Sequence, residues 1–139
     1  MTKRILALAT ALAAVALGVA LDRPGWTQTA AVPQGDAAAG EAAVRRLCAS
    51  CHIVTAEGPR RLGPTLFGVV GRHSGSVQGF NYSQGNRNAN VDWTPEVLFE
   101  YLKNPRALVP NTTMAFPGIR DEQERANVVA YLQTLRPAQ

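Results

Sequence analysis

From Glu57 to Asn90 the chain shows neither the 3.6-residue period of a helix nor the alternation of a strand. What it shows is punctuation: Gly58, Gly63, Gly68, Gly71, Gly75, Gly79 and Gly85, with Pro59 and Pro64. A loop of that length is uncommon inside a compact domain. With 139 residues the chain is long enough for one domain and short for two. Such a segment is compatible with a folded domain only if it wraps something that is not protein.

Helical patterns flank this stretch. "DAAAGEAAVRRLCASCH" is rich in helix formers, and Asp36 stands where it can cap the first turn, predicting a helix from about Ala37 to Ala49. In "WTPEVLFEYLKNP", Thr94 is a cap, Pro95 suits the first helical position, and Leu98, Tyr101 and Leu102 share a face. Asn104 before Pro105 ends that helix. In "DEQERANVVAYLQTL", Asp121 and Glu124 resemble a capping box, and Val128, Tyr131, Leu132 and Leu135 form an apolar stripe ended by Pro137.

Lys3 and Arg4 precede an uncharged apolar run, Ile5 to Leu21, and small residues Thr29, Ala30 and Ala31 follow. Residues 1–31 therefore read as a secretory signal peptide, or as an N-terminal membrane anchor if they are retained, and 32–139 as the folded domain. Either reading puts the domain outside the cytoplasm, in a bacterial periplasm, where thiols are normally oxidised. Lys3, Arg4, Arg23 and Asp22 belong to the leader, so the rest carries 11 basic against 9 acidic residues, a net charge of +2. That balance argues against nucleic acid as a partner, which calls for a clustered basic face.

"LCASCHIV" places Cys48, Cys51 and His52 together, and the chain has no other cysteine and one other histidine, His73. A disulfide across so small a loop would constrain the unfolded chain little. A thioredoxin-like pair calls for a βαβ frame that the flanking sequence does not offer. A zinc site lacks its remaining ligands. Covalent haem attachment uses all three residues: two thiols add to the porphyrin vinyl groups, and the histidine beside the second ligates the iron. The macrocycle then supplies the core that a small domain lacks, and the glycine-rich segment has something to wrap.

The chemistry depends on the sixth iron position. Met114, in "VPNTTMAFPGI", is the one methionine beyond the leader. A lone methionine in an apolar stretch is commonly packing. Between Pro110 and Pro117, however, its side chain can be held at a fixed point, and a soft thioether raises the potential of a low-spin iron. His73, in "GRHSG", is the competing ligand, although its neighbours suit a solvated loop. An open iron is the third reading.

Taken in order, "CASCH", "GPTLFGVVGR", "GFNYS", "DWTPEVLFEYLKNP", "VPNTTMAFPGI" and "YLQTL" resemble class I c-type cytochromes, the mitochondrial type and its bacterial periplasmic relatives, from Gly35 to Leu135. The resemblance implies a small all-α class I cytochrome c fold with crossing terminal helices and loops wrapping one covalently bound haem c. It implies that Cys48 and Cys51 hold the haem, with His52 and Met114 as the metal ligands. The carbonyl of Pro64 would receive the proximal-ring hydrogen bond, and Arg72, Tyr82 and Trp93 would contact the propionates. Asn86 and Tyr101 would line the methionine side, Thr112 would stand near the buried propionate, and Gly40 and Tyr131 would form the helix crossing. Three features depart from the family pattern. Val44 replaces an aromatic residue, Asn111 replaces a glycine, and Leu47, Ala107, Thr113 and Asp121 stand where basic residues often ring the haem edge, leaving Arg61, Arg106 and Arg120.

The implied function is a monomeric periplasmic single-electron carrier, not an enzyme. It would work between a respiratory or photosynthetic donor and an oxidase, reaction centre or dehydrogenase, through transient redox partners such as a membrane cytochrome complex. Contact with a membrane is expected only if the leader is retained. The alternative is a haem c sensor, or a peroxidatic or small-molecule-binding protein with an open sixth position.

Overall fold

The computed structural model describes residues 31–59 and 61–136, so the expected leader lies outside the described residues except for Ala31. Among the described residues five helices form: α1 (Ala37–Leu47), α2 (Gln84–Asn88), α3 (Pro95–Lys103), α4 (Pro105–Leu108) and α5 (Glu122–Thr134). The described residues contain no strand, only an isolated bridge between His73 and Asp92. Nor is any helix among them long and apolar enough to cross a membrane.

The helix starts are set by local chemistry. The carboxylate of Asp36 accepts from the amides of Ala38 at 2.8 Å and Ala39 at 3.3 Å, and Thr94 Oγ1 accepts from Val97 N at 3.3 Å ahead of Pro95. α1 stops at Leu47, two residues before the expected end, because the Ala49 amide bonds at 3.1 Å to the Val44 carbonyl, five residues back and already bonded by Cys48 N, instead of continuing the four-residue ladder. The capping box at α5 is half made. Asp121 accepts from Glu124 N at 2.6 Å, but the Glu124 carboxylate turns away to Arg46 of α1.

α1 packs across α5 around Gly40, buried where the two backbones meet. A Cβ at Gly40 would lie 1.9 Å from the Asn127 carbonyl oxygen and 2.9 Å from Tyr131 Cβ. Only glycine permits this approach, and the expected Gly40–Tyr131 crossing point is where the structure puts it. Val44 follows one turn later at 1% exposure, beside Ala43, in a core that includes Leu98, Phe99, Leu102, Val128, Val129 and Leu132.

Two helices depart from expectation. α2 rises inside the aperiodic stretch, capped by Ser83, and α4 restarts at Pro105 one residue beyond α3. Neither exceeds five residues, too short to show a period. Between α4 and α5 the segment carrying Met114 is pinned at both ends. Val109 is fully buried with its amide on Pro105 O at 2.9 Å, and the Ile119 amide donates to Leu102 O at 2.7 Å. Asn111 takes φ +61°, the left-handed conformation expected where glycine is usual. At the far end Arg125, 4% exposed, lays its guanidinium 4.3 Å from the centre of the Phe99 ring and donates to Ile119 O at 2.8 Å. This contact ties α5 to α3 and to the end of the methionine loop.

Candidate functional site

Cys48, as the cap of α1, and Cys51 and His52, in the turn that follows, are all partly buried. The amides of Cys51 and His52 donate to Cys48 O at 3.0 and 2.9 Å, a local turn that holds the motif together. Both cysteines are free thiols. Burial pushes the Cys48 thiol up to about 11, with neighbouring Cys51 adding to the shift, so it is protonated at neutral pH.

His52 Nδ1 lies 2.7 Å from Pro64 O. A carbonyl only accepts, so the ring hydrogen sits on Nδ1 and Nε2 keeps its lone pair. Burial lowers the His52 pKa, with a smaller push in the same direction from Arg72, while the bond to Pro64 works the other way. The neutral, ligand-competent imidazole is therefore favoured. The ring lies over Gly63, where a Cβ would stand 2.3 Å from Cε1 and 2.5 Å from Nδ1. Gly63 N donates in turn to Cys51 O at 2.8 Å, closing the loop beneath the ring.

Met114 belongs to a second cluster. Tyr101 Oη donates to Met114 Sδ at 3.7 Å, Met114 N donates to Thr112 Oγ1 at 3.2 Å, and Asn86 Nδ2 donates to Thr112 Oγ1 at 3.1 Å. Tyr101 is 9% exposed and stacks at a tilt on Trp93, with centroids 4.8 Å apart. Burial raises its phenol to about 12 against the opposing pull of Thr112. The structure thus joins Asn86, Tyr101, Thr112 and Met114 in one hydrogen-bonded group.

Arg72, Tyr82 and Trp93 form a third group. The Arg72 backbone pairs with Trp93, whose amide donates to Arg72 O at 2.9 Å. The Arg72 guanidinium donates to Thr65 O at 2.7 Å and Phe67 O at 3.1 Å, and burial lowers its pKa. Tyr82 Oη accepts from Val77 N at 3.3 Å. Burial raises the Tyr82 pKa, while Val77 and Arg72 work against that rise. Trp93 is 8% exposed, and its indole nitrogen finds no acceptor among the described residues. His73 is exposed, as its sequence context suggests, with Nδ1 2.8 Å from Asp92 Oδ1.

One residue of the second cluster escapes the sequence reading. Ser83 Oγ caps α2 by accepting from Asn86 N at 3.3 Å and also accepts from Asn86 Nδ2 at 3.2 Å. A serine three residues before an asparagine is the available signal, but without a periodic run after it the cap does not stand out.

The Cytochrome c family model matches residues 37–136, from the first turn of α1 to beyond the end of α5. The chain belongs to the cytochrome c family. It is 45% identical over 104 residues to cytochrome c2 of Rhodopila globiformis, covering 75% of this chain and 97% of that protein. To the cytochrome c of Ginkgo biloba it is 43% identical over 101 residues, covering 73% and 89%. To the cytochrome c of Trypanosoma brucei brucei it is 45% identical over 107 residues, covering 77% and 99%. This cytochrome is an electron carrier rather than an enzyme and carries one covalent haem c, for which Cys48 and Cys51 provide the attachment motif. The residues present fit that group on two counts: two free thiols, and a histidine whose tautomer leaves the Nε2 lone pair free.

Proposed function

We propose that this cytochrome works in a bacterial periplasm, delivered there by residues 1–31 as a signal peptide or retained anchor. As a monomer it carries single electrons from a respiratory or photosynthetic donor to an oxidase, reaction centre or dehydrogenase. His52 and Met114 are the proposed axial ligands, and Pro64, Arg72, Tyr82, Asn86, Trp93, Tyr101 and Thr112 the proposed haem contacts. The observation that carries the ligand set is the Nδ1 bond to Pro64, because it commits His52 to presenting Nε2. The haem supplies an iron that takes up and releases one electron.

The protein residues hold that change to a small rearrangement. Pro64 and Gly63 fix the His52 ring, while Tyr101 and Thr112 hold Met114 from its side chain and its backbone. The Arg72 guanidinium and the Trp93 indole are donors suited to desolvated carboxylates. Leu47 is half-buried, and Ala107, Thr113 and Asp121 are exposed, at positions where the family often carries cations; Arg61, Arg106 and Arg120 are exposed as well. Docking therefore rests on small, mainly neutral contacts that release quickly. Between low and high salt, the rate with an acidic redox protein should fall less than about tenfold, well short of the ~10³ that electrostatic steering supplies.

Absorption spectra test the ligand set. A far-red sulfur-to-iron band in the oxidised protein, lost in Met114→Ala and kept in His73→Ala, is the expected result. A high-spin spectrum in the wild type, or one that Met114→Ala leaves unchanged, supports the open-iron reading. Loss of the low-spin state in His73→Ala alone supports bis-histidine ligation. N-terminal sequencing of the protein recovered from the periplasm decides between a cleaved signal and an anchor.

A further inference from the structure

Among the described residues Arg125 is the only charged side chain in the core, 4% exposed, and it has no carboxylate partner. Its Nε is buried without an acceptor. A buried cation is costly unless dipoles or a counter-charge offset it. What offsets this one is the face of the Phe99 ring, 4.3 Å from the guanidinium carbon, and two carbonyls that share Nη1, Ile119 O at 2.8 Å and Arg120 O at 3.2 Å. Phe99 belongs to α3, but both carbonyls belong to the downstream end of the segment that carries Met114.

That end is seated on α3 as well. The Ile119 amide donates to Leu102 O at 2.7 Å. Gly118, at φ +98°, lies so close that a Cβ would stand 2.3 Å from Lys103 O, and Pro117 stiffens the chain before it. We propose that Arg125 is a positioning residue for the methionine segment, a latch at its downstream end that sets how often Met114 leaves its place. This rests on Met114 being an iron ligand. A swing of the segment that carries the thioether away lifts Ile119 and Arg120 off α3 and takes both carbonyls from Nη1. The guanidinium is then left over Phe99 as an uncompensated buried charge, so opening costs more than the backbone bonds alone. The latch lies outside the group formed by Asn86, Thr112 and Tyr101, and it acts on the segment's opening rather than on the sulfur.

Imidazole is the probe, because it occupies the iron position that Met114 vacates and its rate of entry counts the openings. The test compares oxidised wild-type holoprotein with Arg125→Met, which keeps an unbranched apolar stem without the charge, and with Glu124→Gln. Glu124 is the next residue on α5, and its carboxylate bonds Arg46 of α1 rather than the methionine segment. Imidazole entry, followed as loss of the far-red band, should be about ten- to hundredfold faster in Arg125→Met, the worth of a charged hydrogen bond. In Glu124→Gln it should keep the wild-type rate. The midpoint of unfolding in guanidinium chloride should move far less in Arg125→Met than that rate, because an apolar side chain in place of a buried charge is often neutral for the whole fold. A wild-type rate in Arg125→Met, an equal rise in Glu124→Gln, or a midpoint that falls in proportion to the rate overturns the proposal and leaves the ligand reading intact. A wild type without the far-red band overturns both. Should Arg125→Met fail to fold, hydrogen exchange of the wild type decides. Loss of protection at the Ile119 amide when imidazole binds supports the latch, and an Ile119 amide still protected in the imidazole complex overturns it.

Discussion

Replacing Gly63 by alanine isolates the seat of the His52 ring. The new Cβ would stand 2.3 Å from Cε1, 2.5 Å from Nδ1 and 2.7 Å from Nε2, so it meets the whole imidazole rather than the tip of a flexible chain. Gly63 does not have a positive φ, so alanine suits the backbone and the penalty is steric. Relief requires the ring to swing away, which breaks the 2.7 Å bond to Pro64 O, or the loop to lift off Cys51 O. Overpacking costs about 1–3 kcal/mol, and a lost hydrogen bond about 1 kcal/mol. The reduced freedom of the unfolded chain offsets about 0.4–1 kcal/mol. The net expectation is a loss of about 2–3 kcal/mol, or roughly 10–20 °C in Tm for a domain of this size. Guanidinium unfolding of the oxidised holoprotein measures it, with the iron absorption followed in parallel. Gly68→Ala is the control: its Cβ meets nothing within 4 Å, and φ +66° costs about 1–2 kcal/mol of backbone strain without touching His52. Gly63→Ala should alter the iron spectrum as well as stability, and Gly68→Ala stability alone. If the two variants share a spectrum and a midpoint, the ring does not sit where this reasoning puts it.

Two other changes probe the frame. Gly40→Ala drives a Cβ to 1.9 Å from the Asn127 carbonyl, where neither backbone can yield, and should cost about 2–3 kcal/mol despite the better helix propensity of alanine, read as a lower guanidinium midpoint. The Tyr101 phenol ionises near 10 in the unfolded chain but near 12 when folded, so between those values the native state holds the extra proton and stability falls as pH rises. Wild type should lose about 2 kcal/mol more than Tyr101→Phe between pH 10 and 12, the slope reaching its full ~1.4 kcal/mol per unit only midway between the two values. Parallel pH profiles for the two proteins would refute the burial argument.

What the sequence determined by itself was local or singular. Cys48, Cys51 and His52 are readable because their chemistry lies within one turn of chain, and Met114 because the chain beyond the leader has no second methionine. The caps at Asp36, Thr94 and Asp121 form as expected because a cap needs only its own first turn. Asn111 likewise reveals its left-handed backbone through its residue type.

What only the tertiary structure decided was the choice of partners across long separations. Glu124 leaves its own cap for Arg46, and Arg125 goes into the core over Phe99 rather than to solvent, although composition alone reads such arginines as surface. α2 and its Ser83 cap are too short to carry a period, and what gives them a task is Thr112, far along the chain. Propensity and capping act over about four residues and leave a trace in composition. A hydrogen bond between distant segments depends on which faces the fold brings together, and no local pattern encodes that.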